Sequence, residues 1–132
     1  MILVDTSAWI EYLRATDSST HLRLRGALES RGRLATTGVV LLEVLSGARD
    51  ERHADDLRRL LDRCRYLPFT EPSDHEAALG IYRACRSAGQ AVRSLSDCLV
   101  VGVAIRERAT LLHRDVDFDA IAQFTALAVE PA

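Results

Sequence analysis

Met1-Ile2-Leu3-Val4 is an unbroken apolar run that ends on Asp5-Thr6-Ser7. A strand this apolar is buried on both faces, as in the centre of a parallel sheet covered by helices on each side. The aspartate and two hydroxyl residues that follow mark a helix N-terminus, starting a helix from Ala8 to about Arg14. Ligands of open α/β sheets bind beyond the carboxyl ends of the strands. Asp5 falls there.

The rest of the chain repeats the alternation. Ser19 or Thr20 can cap a helix through about Ser30, ended by Gly32, and residues 33–37 form a short strand. Gly38 opens an apolar helix, Val39 to Ser46, stopped by Gly47. The charged stretch from Asp50 to Arg63 carries Leu57, Leu60 and Leu61 as an inward stripe, with its charges on a solvated face. Residues 65–67 form a third strand, closed by Pro68. Ser73 and Glu76 have capping-box spacing and start a helix to about Ser87, with Gly89 as its stop. Cys98 to Ile105 is apolar nearly all round and so a buried helix. Residues 110–113 form a fourth strand, Asp117 can cap a short helix to Phe124, and residues 127–129 form a fifth strand. The pattern predicts one α/β domain over residues 1–132, with a parallel sheet covered on both sides.

Composition removes several functions. All 17 basic residues are arginine, which excludes a GK[ST] phosphate loop, Schiff-base catalysis and lysine-dependent receiver chemistry. The formal net charge of −2 provides no general basic field, so a polyanion must be held by a local arginine rim and by metal ions. Three cysteines without C-x-x-C spacing predict reduced, buried thiols in a cytoplasmic protein. The first apolar run is too short and lacks the basic leader of a signal peptide, and no stretch is long enough to span a membrane.

The informative residues are acids. Asp5 could serve as an N-cap, but Thr6 and Ser7 could cap as well. Glu43 interrupts the otherwise uncharged run 39–45, so it must face a cleft or lie beside a cation such as an arginine. Asp97 opens an apolar helix where Ser96 could equally cap. Asp115 and Asp117 follow a strand, with Asp117 a plausible helix cap. An EF-hand loop starting at Asp115 fails, because Ala120 and Ala126 stand where it needs Gly and Glu. The four loci lie at strand ends or helix starts, where the topology can gather them. Clustered carboxylates repel unless a cation or protons hold them together, and their hard oxygens suit Mg²⁺ or Mn²⁺. Such ions hydrolyse phosphodiesters by activating water and stabilising the leaving oxygen. The residues therefore point to metal-dependent RNA hydrolysis. Arg93 and Arg114 flank these segments and could contact RNA phosphate. His113 stands next to the acids but apart from other histidines, which favours a supporting or packing role.

Met1 to Ile10, Glu43-Val44-Leu45-Ser46-Gly47, Ser96-Asp97-Cys98-Leu99-Val100 and Leu111 to Phe118 together resemble the PIN domain, and more narrowly the VapC-type toxins of bacterial toxin–antitoxin pairs. The resemblance covers essentially the whole chain, with the motifs in the family's order. It implies a three-layer α/β/α sandwich with a central parallel sheet and a Mg²⁺-dependent endoribonuclease that blocks translation by cutting tRNA or rRNA. Asp5 and Asp97 would be the principal metal ligands. Glu43 and either Asp115 or Asp117 would complete the cluster, with Thr6 and Ser96 supporting it. A homodimer and a cognate VapB-type antitoxin are implied as well. His113 departs from the Thr or Ser usual at its position. The alternative is a catalytically silent PIN-fold interaction module. The missing D-x-D-x-T opening and the missing lysine speak against a haloacid-dehalogenase-type phosphatase.

Overall fold

The computed structural model describes residues 1–90, 92 and 94–131. Five strands form one parallel sheet in the order β3-β2-β1-β4-β5, where β1 is Ile2–Val4, β2 Leu34–Thr37, β3 Arg65–Leu67, β4 Thr110–Leu112 and β5 Ala128–Val129. The apolar first run is the central strand, and Leu3 and Val4 are fully buried. Seven helices connect the strands among the described residues: α1 Thr6–Leu13, α2 Ser19–Glu29, α3 Gly38–Ser46, α4 Glu51–Leu61, α5 Ser73–Ser87, α6 Leu95–Arg106 and α7 Val116–Ala122. Right-handed crossovers place α1–α4 on one face of the sheet and α5–α7 on the other. The result is an α/β/α sandwich, with Trp9, Leu24, Val40 and Leu61 in the core on one side and Val100, Val103, Phe118 and Ile121 on the other.

This strand order determines where a ligand can bind. The chain leaves β1 toward β2 on one side and later returns to β4 on the other, so the order of strand addition reverses between the parallel neighbours β1 and β4. The crevice beyond their carboxyl ends is the expected ligand position in a sheet of this kind. Asp5 follows β1 directly and the 113–117 segment follows β4. The Asp5 amide donates to the Leu112 carbonyl at 2.9 Å, which fixes the two strand ends beside each other.

Helix boundaries differ from the sequence expectations in their caps. The first helix begins at Thr6, and Asp5 is its cap. Ser18, not Ser19 or Thr20, caps α2 by accepting the His21 amide at 3.1 Å. At the end of α2, Arg31 takes the left-handed position (φ 55°), while the Gly32 amide closes onto the Ala27 carbonyl at 2.8 Å. The expected capping box is not formed. The Ser73 hydroxyl donates to the Thr70 carbonyl at 3.1 Å, and the buried Asp74 carboxylate takes the Thr70 amide at 2.6 Å. Asp115 caps α7 in place of Asp117. The three cysteines are free and buried, and burial pushes the Cys64 and Cys98 thiols up to about 11. Among the described residues, no helix is long and apolar enough to cross a membrane.

Candidate metal centre

Asp5 is only 5 % exposed, and its Oδ2 accepts both the Ser7 amide at 2.9 Å and the Ser7 hydroxyl at 2.6 Å. Ser7 Oγ in turn accepts the Arg114 amide at 2.9 Å, tying the Asp5 carboxylate to the segment after β4. Burial raises the Asp5 pKa above its usual value, and the Ser7 and Thr6 hydrogen bonds counter only part of that rise. Asp5 is thus both a helix cap and a buried acid at the ligand edge. Capping alone occupies a single oxygen.

Of the two settings expected for Glu43, a cleft or a neighbouring cation, the structure shows the cleft. Glu43 lies on the exposed side of α3, where its Oε1 accepts the Thr6 hydroxyl at 2.9 Å. Thr6 and Ser7 therefore split the work: one holds Glu43, the other Asp5. From Thr6 and Glu43 a groove of about 430 Å³ runs between α1, α3 and α4, with Arg14 and Arg49 on its walls. Arg14 and Arg49 are the two arginines that line this groove.

Asp97 lies in the first turn of α6, which begins at Leu95 after Ser94. Ser96 does not cap the helix; its hydroxyl lies 2.6 Å from that of Ser94. Asp97, Asp115 and Asp117 each bring a carboxylate oxygen within 4.8 Å of the other two. The Asp97 carboxyl is pushed up to about 7, first by burial and then by the charges of Asp5, Asp115, Glu43 and Asp117. The other four acids proposed from sequence thus all act on Asp97.

The segment after β4 is fixed amide by amide. His113 Nδ1 accepts the Asp115 amide at 3.1 Å, Asp115 Oδ1 accepts the Asp117 amide at 2.9 Å, and the Asp115 carbonyl accepts the Phe118 amide at 3.1 Å. Arg114 contributes its backbone amide to the site, while its guanidinium turns to Glu11 at 3.7 Å. Arg93, the other expected phosphate contact, lies outside the described residues. Sequence reasoning treated Ser7 only as an alternative cap. Its hydroxyl two residues after Asp5 was the available signal, because a Ser at that spacing can reach back to the carboxylate.

The donor set fits a hard divalent cation. Every candidate ligand is a carboxylate oxygen, and the repulsion that the neighbouring acids exert on Asp97 is one that a bound cation would offset. Residues 2–123 match the model of the PIN domain family. Ribonuclease VapC11 of Mycobacterium tuberculosis is 47% identical over 128 residues, covering 96% of this chain and 96% of that protein. Ribonuclease VapC51 of the same organism is 34% identical over 74% of this chain and 71% of its own length. The fold also matches VapBC2 from Rickettsia felis bound to a promoter DNA fragment, with a TM-score of 0.75, 19% identity and 98% of each chain covered. FitAcB from Neisseria gonorrhoeae matches with a TM-score of 0.74 and 22% identity over 99% of this chain and 97% of that one. With a family model spanning nearly the whole sheet and close identity along almost the full length of a relative, the chain belongs to the PIN-domain family, in its VapC branch.

Proposed function

We propose that this protein is a Mg²⁺-dependent endoribonuclease, the toxin of a type II toxin–antitoxin pair. The observation that carries the reading is the gathering of Asp97, Asp115 and Asp117 within 4.8 Å, beside a buried Asp5, on a chain 47% identical to a ribonuclease. Asp5, Asp97, Asp115 and Asp117 would hold the ion, with Glu43 at the margin. Bound there, Mg²⁺ or Mn²⁺ would activate water and stabilise the leaving oxygen. The chain's own residues prepare that arrangement. Ser7 fixes Asp5 and Thr6 fixes Glu43, so neither carboxylate must be reoriented when the cation arrives. Arg14 and Arg49 line the groove that leads into the site and would engage the phosphates of RNA on either side of the cut.

The reading includes a tRNA or rRNA substrate, a cytoplasmic homodimer and a cognate VapB-type antitoxin. The antitoxin is supported by similarity to chains solved in VapBC pairs. The test is RNA cleavage by wild type and Asp5→Asn, each with Mg²⁺, Mn²⁺ or excess chelator. Metal-dependent cleavage that disappears in a folded variant supports the reading. Equal cleavage by the variant reduces Asp5 to a cap and overturns it. No cleavage of tRNA or rRNA by wild type, together with no Mn²⁺ binding, would leave a silent interaction module.

A further inference from the structure

We propose that His113 is a positioning residue for the acidic site, with Nδ1 as the fixed acceptor that sets the backbone turn carrying Asp115 and Asp117. The inference rests on the metal-site reading above but adds a residue outside the carboxylates. Each amide needs an acceptor or water, and around this turn the acceptors come from different sources. Arg114 uses Ser7 Oγ, Asp117 uses Asp115 Oδ1, and Phe118 uses the Asp115 carbonyl. The Asp115 amide, in the residue that both caps α7 and joins the acidic trio, uses the His113 ring at 3.1 Å.

That ring has a neighbour at each nitrogen and an aromatic contact with Phe118. His113 is buried, and its ring lies tilted against Phe118 with centroids 5.2 Å apart. Nε2 stands 3.3 Å from Asp119 Oδ1, and the His113 carbonyl accepts the buried Thr20 hydroxyl at 3.3 Å. An amide donor at Nδ1 assigns the ring proton to Nε2, facing the Asp119 carboxylate. Packing against Phe118 would need only an apolar group of similar size. A ring whose one acceptor nitrogen meets the Asp115 amide does more, because it fixes the backbone from which the carboxylate projects. Groups that orient metal ligands from behind usually contribute about 10- to 100-fold in affinity.

The test compares His113→Leu, which keeps bulk and removes the acceptor, with His113→Asn, whose side-chain oxygen can accept an amide two residues on. Two measurements are made on each. Amide exchange at Asp115 in the ¹⁵N-labelled, metal-free protein reads the hydrogen bond itself. Calorimetric titration with Mn²⁺ reads its consequence. H113L should exchange Asp115 at least about tenfold faster and bind Mn²⁺ about tenfold more weakly, with H113N within about threefold of wild type in both. If H113L does not fold, His113→Phe takes its place, keeping a ring against Phe118. Wild-type exchange and Mn²⁺ affinity in the acceptor-less variant would overturn the proposal, as would failure of H113N to restore either. If wild type itself binds no Mn²⁺ the metal reading falls, while the exchange arm still decides whether His113 holds the turn.

Discussion

Two aspartates in this molecule are equally buried and are treated in opposite ways. Asp74, 3 % exposed at the start of α5, pairs with Arg106. Arg106 is itself anchored by the Pro68 carbonyl at 2.8 Å and the Thr70 hydroxyl at 3.3 Å. Its charge is compensated within the fold. Asp5, 5 % exposed, has hydrogen bonds from Ser7, and it lies close enough to Asp97 to raise that carboxyl's pKa. Burial without charge compensation is costly. Asp74 has a guanidinium beside it, whereas Asp5 has another carboxyl, Asp97, whose pKa it raises, and a cation bound there would offset that repulsion.

The comparison can be broken from the active side first. Asp97→Asn should lower RNA cleavage by about 100- to 1,000-fold, the scale of losing one preorganised charge at a reacting centre, and leave the fold intact. Gel assays beside circular dichroism check this. A cleaving variant would mean that Asp97 is no more functional than Asp74. The reciprocal change is Arg106→Met. It should destabilise the protein by about 3 kcal/mol, because removing one partner leaves the other charge buried, and it should spare cleavage. Urea unfolding of the variant measures the loss.

The pH dependence sharpens the contrast. In metal-free protein the Asp97 carboxyl sits near 7 against an ordinary value of 3.8. The folded state therefore holds that proton more tightly than the unfolded state. Its stabilising contribution is fully present below about pH 3.8 and is lost as pH rises to about 7. Urea midpoints in chelator should thus fall over this window, Asp97→Asn should flatten the fall, and Mn²⁺ should restore stability at its upper end. The smallest effect concerns a neutral group. Thr36 Oγ1 is buried in β2 with no hydrogen-bond partner among the described residues. Thr36→Val should stabilise by about 1 kcal/mol, since it removes an unsatisfied hydroxyl and not a functional charge. A lower thermal midpoint for this variant would show that the hydroxyl is satisfied by water.

Much of the candidate site was legible in the sequence because its residues occupy positions with local signatures. Asp5 ends an apolar run, Asp97 opens an apolar helix, and Asp115 and Asp117 follow a strand. The alternation of short strands and helices likewise predicted the parallel sandwich. Errors concentrated at caps, where neighbouring Ser, Asp and Thr compete on nearly equal local terms. Ser18 displaced Ser19 and Thr20, and Asp115 displaced Asp117. Asp74 was hidden inside an apparent capping box, because its true partner is Arg106, 32 residues away.

The sequence by itself determined which segments become strands and helices, since periodicity and turn chemistry act within a few residues. It also determined which carboxylates stand at element ends. Only the tertiary structure decided that β4 lies beside β1, so that the acids after the two strands share one crevice. Tertiary structure also decided which buried acid receives an arginine and which receives other acids. Coulomb energies depend on distances through space and on local burial, and neither follows from separation along the chain.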